Sequence, residues 1–245
     1  MGEQRLPGGF VTPVVRVGDT VRRQPPEDPE FVHALLGWFE RHGWGGAPRF
    51  LGTDGQGREV LSFIDGHVAW EPAQPPSVTS DASLAGVARL VREFHDLTAG
   101  TALAGDAEVV CHNDLSPKNT VYRDGGAGLR PTTFIDWDIA APGKRIHDVA
   151  HVCWQYVGLG PRRSDADTAG RQIGIICDAY GLADRDGLLE AILGWQDRSW
   201  RGIEDGAAAG QPAMIRLRDG GAARSVRDAF DWVAAHRDEL AAHVR

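Results

Sequence analysis

The chain changes texture once along its length, and that change limits the possible folds more than any single residue type does. Through about residue 65 the pattern is short β-branched runs and turn residues around one helical stretch; beyond about residue 80 it is mostly helical. Val14-Val15-Arg16-Val17, the turn pair Gly18-Asp19 and Thr20-Val21-Arg22-Arg23 read as a β-hairpin. Pro25 and Pro26 stop it, Asp28 caps a helix with Pro29 in its first turn, and Gly43 lies past its end. Val32, Leu35, Leu36 and Phe39 recur at i, i+3, i+4 and i+7, so one face of that helix is buried. Two further strands follow near 49–53 and 59–64, joined by a turn at Asp54-Gly55, and Asp65-Gly66 closes the block.

Residues 66–80, with Pro72, Pro75 and Pro76, read as a connector. Helical stripes then appear at Leu84–Phe94, Val149–Val157, Ile173–Tyr180 (ended by Gly181) and Leu188–Leu193. A last helix carries Val226, Phe230, Val233 and Leu240, and Ser225 and Asp228 stand in capping-box spacing at its start. Between the first two stripes, three short apolar strands (109–111, 120–122 and 133–135) are separated by polar turns. The expectation is an α+β chain of two lobes: a small antiparallel-sheet lobe with one helix over 1–65, and a larger, mainly helical lobe over 66–245.

Composition excludes several partner classes. The formal charge of −8 argues against nucleic acid and anionic membranes, and no apolar run approaches the ~20 residues of a membrane span. The start lacks a signal-peptide pattern. The three cysteines, Cys111, Cys153 and Cys177, have neither disulfide-framework nor metal-ligand spacing. Free thiols in a reducing cytoplasm are expected. Only Lys118 and Lys144 are lysines among 26 basic residues, so chemistry that needs a lysine has two candidates.

The polar residues of the middle segment are unusual for connecting loops. They read His112-Asn113-Asp114-Leu115-Ser116-Pro117-Lys118-Asn119 and, after a hairpin, Phe134-Ile135-Asp136-Trp137-Asp138. Folded side by side, these stretches bring Asp114, Asn119 and Asp136 to one cavity. A carboxylate and an amide carbonyl are hard oxygen ligands suited to Mg²⁺ that also holds phosphates, which leaves the second carboxylate to accept a hydroxyl proton. His147 and His151, one helical turn apart, would suit zinc, but no general-base Glu or third ligand accompanies them at a recognisable spacing.

The pattern His-x-Asp-x-x-x-x-Asn followed by Ile-Asp-Trp-Asp resembles the aminoglycoside phosphotransferase family, within the choline-kinase and protein-kinase-like superfamily. Phe94-His95, Ala141-Pro142-Gly143, His147-Asp148-Val149-Ala150 and the hinge-like Leu61–Gly66 extend the likeness over nearly all of residues 6–160. The resemblance implies a two-lobed protein-kinase-like fold and a phosphotransferase that moves the γ-phosphate of ATP or GTP to a small-molecule hydroxyl. It implies that Asp114 orients and deprotonates the acceptor, and that Asn119 and Asp136 bind Mg²⁺. Ser62 and Ile64 would meet the nucleotide base through their backbone, and Gly8-Gly9 would turn over the phosphates. Asp148 would pin the catalytic loop, with His112 as scaffold.

There are departures. No lysine precedes residue 118, so Arg22, or Arg23, must replace the phosphate-gripping lysine, and the following helix has Val32 or His33 where its glutamate partner belongs. Asp197 and Glu204, near Trp195 and Trp200 in the acceptor lobe, would suit a cationic or sugar-like acceptor. The missing lysine–glutamate pair leaves a nucleotide-binding pseudokinase as the alternative.

Overall fold

The computed structural model describes residues 2–7, 13–71, 73–126, 128–162 and 165–244. Gly8 and Gly9 lie outside them.

The N-terminal lobe is one antiparallel sheet ordered β1-β2-β3-β5-β4, built from β1 (Gln4–Arg5), β2 (Val15–Val17), β3 (Thr20–Arg23), β4 (Phe50–Thr53) and β5 (Glu59–Ser62). The expected hairpin is β2–β3, and Val15 faces Arg22 across it. Helix α1 (Pro29–Arg41) starts where the sequence signals place it: the Asp28 carboxylate accepts the Phe31 N–H, and Val32, Leu35, Leu36 and Phe39 are buried. Trp38 Nε1 donates to Leu97 O at 2.8 Å, which ties α1 to the second lobe.

The second lobe opens with β6 (His67–Val68) and α2 (Asp81–Thr98), whose Ser80 cap accepts the Ser83 N–H. Next come β7 (Val109–Cys111), a 3₁₀ turn at Pro117–Asn119, β8 (Thr120–Asp124), β9 (Leu129–Phe134) and β10 (Ala141–Gly143). Five helices complete it: α3 (Arg145–Val157), α4 (Ala166–Tyr180), α5 (Leu188–Ala208), α6 (Pro212–Asp219) and α7 (Ala222–Ala235), followed by the short α8 (Arg237–Val244). One hydrophobic cluster runs from Val32 through Phe94 and Trp137 to Val244.

Three features differ from the sequence expectation. The connector contains β6, which pairs with β8. Gly66 makes that approach possible: its φ is +151°, and a Cβ there would lie 2.5 Å from Val121 Cγ1 and 2.7 Å from Tyr122 O. Residues 141–143, not read as a strand from the sequence, form β10 and pair with β7. The last helix is two, α7 and α8, and Ser225 lies inside α7, donating its N–H to Gly221 O. Gly221, left-handed at φ 82°, starts that helix, so the Ser225–Asp228 spacing is not a capping box.

Candidate active site

The site is a loop held between two small sheets. Strand β7 delivers residues 112–116, the 3₁₀ turn delivers Asn119, and β9 ends just before Ile135-Asp136. Ile135 N donates to Asn119 O at 2.9 Å, so the hairpin brings the Asn119 and Asp136 segments together as the motif spacing implies.

Two of these residues take left-handed backbone conformations: Asn113 at φ 65° and Asp136 at φ 68°. Asn and Asp are the non-glycine residues that adopt it most readily. The Asn113 side chain also donates to Ile139 O at 2.9 Å.

Asp148, at the start of α3 and fully buried, fixes the loop. Its Oδ2 accepts the His112 N–H at 2.7 Å, its Oδ1 accepts the Asn113 N–H at 3.0 Å, and His95 Nε2 is 3.1 Å away. Burial opposes ionisation, but His95 and the groups around His112 hold the Asp148 carboxyl below the ordinary carboxylate range. His112 is sealed in as well. Its Nε2 lies 3.2 Å from Ile135 O and its Nδ1 accepts the Asp114 N–H at 3.3 Å, which assigns the proton to Nε2. Burial pushes its pKa down, so it stays neutral and works as scaffold. His95, Cys111 and Asp148 also converge to within 4.8 Å of one another, but Asp148 is committed to loop N–H groups and Cys111 Sγ donates to Lys144 O at 3.3 Å. That grouping is the only one of its kind among the described residues, and it includes neither His147 nor His151.

Asp114 is half-buried, and Asn119 Nδ2 donates both to its carbonyl at 2.9 Å and to its Oδ2 at 2.8 Å. Burial, then the neighbouring Asp136, pushes its pKa up to about 6, against the lowering pull of Lys118 and the Asn119 hydrogen bond. A carboxylate so raised is suited to general-base work near neutral pH. With Nδ2 turned onto Asp114, the Asn119 amide keeps its carbonyl oxygen for a cation.

Of the two candidate arginines, Arg23 and not Arg22 faces the site. Successive side chains on a strand point to opposite faces. Arg22 packs toward Asp54 (3.7 Å) and Thr20 Oγ1 (2.6 Å), away from the site. Arg23 points inward and is 8% exposed. Its Nε donates to Glu59, its Nη1 to Asp136 Oδ1 at 2.7 Å and its Nη2 to Asp138. The carboxylate that the helix lacks comes from β5: Glu59 is fully buried and sits opposite Arg23 in the β3–β5 register. Helix α1 supplies His33 instead, 2.9 Å from Glu59 Oε2 and stacked on Phe50. Burial raises Asp138 to about 6 even against Arg23. Sequence reasoning assigned no role to Glu59 or Asp138; an isolated glutamate opening the otherwise apolar Glu59-Val60-Leu61 is the one signal for the former.

The donor set fits a hard dication. One guanidinium faces three carboxylates, Glu59, Asp136 and Asp138, and Asn119 adds an amide oxygen.

At the expected hinge, the Ser62 N–H donates to Arg49 O and the Phe63 N–H to Asp19 O. Ile64 lies two residues beyond the end of β5. Asp197 is held by Arg201 one turn on, at 2.8 Å, and Glu204 is an exposed residue of α5. Trp200 already has the guanidinium groups of Arg201 and Arg227 near its ring, at 4.3 and 5.6 Å. Arginines of the chain itself thus hold Asp197 and flank Trp200.

Residues 98–191 match the model of the phosphotransferase enzyme family, the segment from the end of α2 to the first turn of α5. A trifolitoxin immunity protein from Rhizobium leguminosarum bv. trifolii is 28% identical, with 97% of each chain covered. Among solved structures, a choline/ethanolamine kinase family protein from Mesorhizobium loti superposes with a TM-score of 0.62 at 17% identity, covering 99% of this chain and 92% of that one. An aminoglycoside phosphotransferase from Streptomyces rimosus gives 0.58 at 17% identity, over 78% and 90%. The GDP complex of an aminoglycoside 2′-phosphotransferase gives 0.58 at 14% identity, over 99% and 92%. The chain is therefore similar to the phosphotransferase enzyme family over residues 98–191, and its α+β fold is similar to those of a choline/ethanolamine kinase family protein and an aminoglycoside phosphotransferase.

Proposed function

We propose that the chain transfers the γ-phosphoryl group of ATP or GTP to a hydroxyl of a small molecule in the cytoplasm. The observation that carries this is the Asp114–Asn119–Asp136 constellation, with the Asp114 carboxyl raised to about 6 by burial and by Asp136. Mg²⁺, when bound, neutralises phosphate charge and polarises the transferring group. Asn119 and Asp136 would hold it by their side-chain oxygens. Asp114 accepts the proton of the attacking hydroxyl at its carboxylate, and the Asn119 amide holds that carboxylate in place. Arg23 offers its guanidinium fork to phosphate oxygens in the role sought at Arg22 or Arg23, at the inward-facing position of β3. Asp148 and His112 keep the loop in the conformation these roles require. Phosphoryl transfer needs little more than such positioning and charge neutralisation.

The acceptor class stays broad. Solved structures similar to this chain include aminoglycoside phosphotransferases and choline/ethanolamine kinases, which supports an aminoglycoside or an amino alcohol as acceptor, and Asp197 has charge to offer a cationic one only if Arg201 lets go of it. The end-to-end likeness to a trifolitoxin immunity protein supports a second, compatible reading of biological role, protection against a toxic compound. The alternative of a nucleotide-binding module without transfer rests on the replaced lysine–glutamate pair. A screen of these acceptor classes for nucleotide consumption, with Asp114→Asn as the blank, tests the proposal. Acceptor-stimulated turnover in the wild type alone is expected; metal-dependent nucleotide binding with no transfer to any acceptor would favour the binding module.

A further inference from the structure

The Arg23 guanidinium lies on the carboxylates that a metal would need. One edge, Nε, donates to the buried Glu59, which β5 and His33 hold in place. The other two nitrogens reach across to Asp136 and Asp138. Arg23 and Glu59 are 8% and 0% exposed, while the Asp136 and Asp138 side chains are 45% and 34% exposed. The arginine is therefore anchored on a sealed carboxylate at one end, while its outer nitrogens bind carboxylates that solvent and ligands can reach. A dication arriving alone at Asp136 meets a seat already neutralised by a cation. Phosphate oxygens arriving with the dication offer the guanidinium an alternative partner of the geometry it prefers.

We infer that Arg23 is a displaceable clasp: it closes the Asp136–Asp138 seat in the empty protein and yields that seat to a metal only when nucleotide phosphates take its outer nitrogens. Glu59 is the positioning residue that keeps Arg23 at the site in both states. This rests on the phosphotransferase reading of the site. Its consequence is that metal and nucleotide bind with positive coupling, and that Arg23 opposes one while supporting the other. A residue that only strengthened the fold or only gripped phosphate would not act with opposite signs on the two ligands.

The test is calorimetric titration of the whole chain with Mn²⁺ alone, with ADP alone and with ADP in the presence of Mn²⁺, for wild type, Arg23→Gln and Arg23→Lys, with helical circular dichroism checked for each. In the wild type, ADP should strengthen Mn²⁺ binding by at least about fivefold, the low end of ordinary coupling. In Arg23→Gln, Mn²⁺ alone should bind at least about fivefold more tightly than in wild type, ADP alone should bind more weakly, and the coupling should largely vanish. Arg23→Lys keeps a cation that can contact one carboxylate at a time, so its Mn²⁺ affinity should fall between the two, and it serves as the test if Arg23→Gln does not fold. Mn²⁺ affinity unchanged or lowered in the folded variants, with ADP binding intact in wild type, would overturn the clasp alone. A wild-type chain that binds no nucleotide would overturn the phosphotransferase reading and the clasp with it.

Discussion

Removing the Asp148 carboxylate should loosen the catalytic loop and the fold together. The side chain is fully buried and accepts N–H groups from His112 and Asn113, with His95 as a third partner at 3.1 Å. Asp148→Ala leaves two backbone donors and an imidazole in a sealed interior. Hydrogen bonds to a charged group contribute about 1.5–3 kcal/mol each, and breaking a buried charged network by removing one partner costs about 3–5 kcal/mol. We therefore expect a loss of about 4 kcal/mol. For a chain of this size each kcal/mol lowers Tm by roughly 2–4 °C, so the melting temperature should fall by roughly 8–16 °C. Urea unfolding followed by circular dichroism would measure it, with the slope of the transition unchanged. Asp148→Asn keeps a carbonyl acceptor but turns an amide N–H toward a donor, and should recover less than half of the loss. Because the folded carboxyl is held below its ordinary value, its contribution to stability is complete above the unfolded value of about 3.9 and disappears as pH falls through the lower folded value. The difference between wild type and Asp148→Ala should thus be full at pH 7 and shrink only in strong acid. A loss below about 1 kcal/mol at pH 7 would refute the assignment of Asp148 as the pin of the loop.

Four further outcomes follow from the same geometry. Asp114→Asn should lower turnover by about 10²–10⁴-fold while leaving nucleotide affinity within about threefold, read by steady-state kinetics and calorimetry. With Asp114 ionising near 6, the limb of kcat/KM should rise through about pH 6 and flatten above it. A cation bound at Asp136 favours the ionised form, so the corresponding limb of kcat should lie at lower pH; limbs in the reverse order would contradict the assigned base. Arg22→Ala should leave nucleotide affinity nearly unchanged, because that side chain serves Asp54; a loss as large as that of Arg23→Gln would mean that the strand faces are reversed. Asn113→Val should cost about 1–2 kcal/mol in thermal unfolding for its left-handed backbone, whereas Asn113→Gly should nearly preserve stability.

The parts of the fold that are readable in the sequence are those set by local signals. Asp28, Pro29 and the Val32–Phe39 stripe mark α1 because capping and helical periodicity need only neighbours within one or two turns. The β2–β3 hairpin is equally local. Elements set by distant partners are not visible in this way: β6 and β10 are two and three residues long and exist through pairing with β8 and β7. The site divides along the same line. Asp114, Asn119 and Asp136 are legible because two spaced motifs flank one hairpin, and the structure brings their segments together. The choice between Arg22 and Arg23 is a matter of strand face, which only the pairing with β5 decides. Glu59 stands 36 residues from Arg23, and its pairing replaces an expected partner from α1, so no local pattern reveals it. The placement of Asp197 beside Arg201 is local and was available from their i, i+4 spacing.

Phosphorus NMR of the wild-type protein with nucleoside triphosphate, Mg²⁺ and an acceptor found by the screen tests the central claim most directly. A phosphomonoester resonance should grow in step with nucleoside diphosphate, and the Asp114→Asn variant should produce neither. Release of inorganic phosphate alone, or an ester formed equally fast by the Asp114→Asn variant, would contradict it.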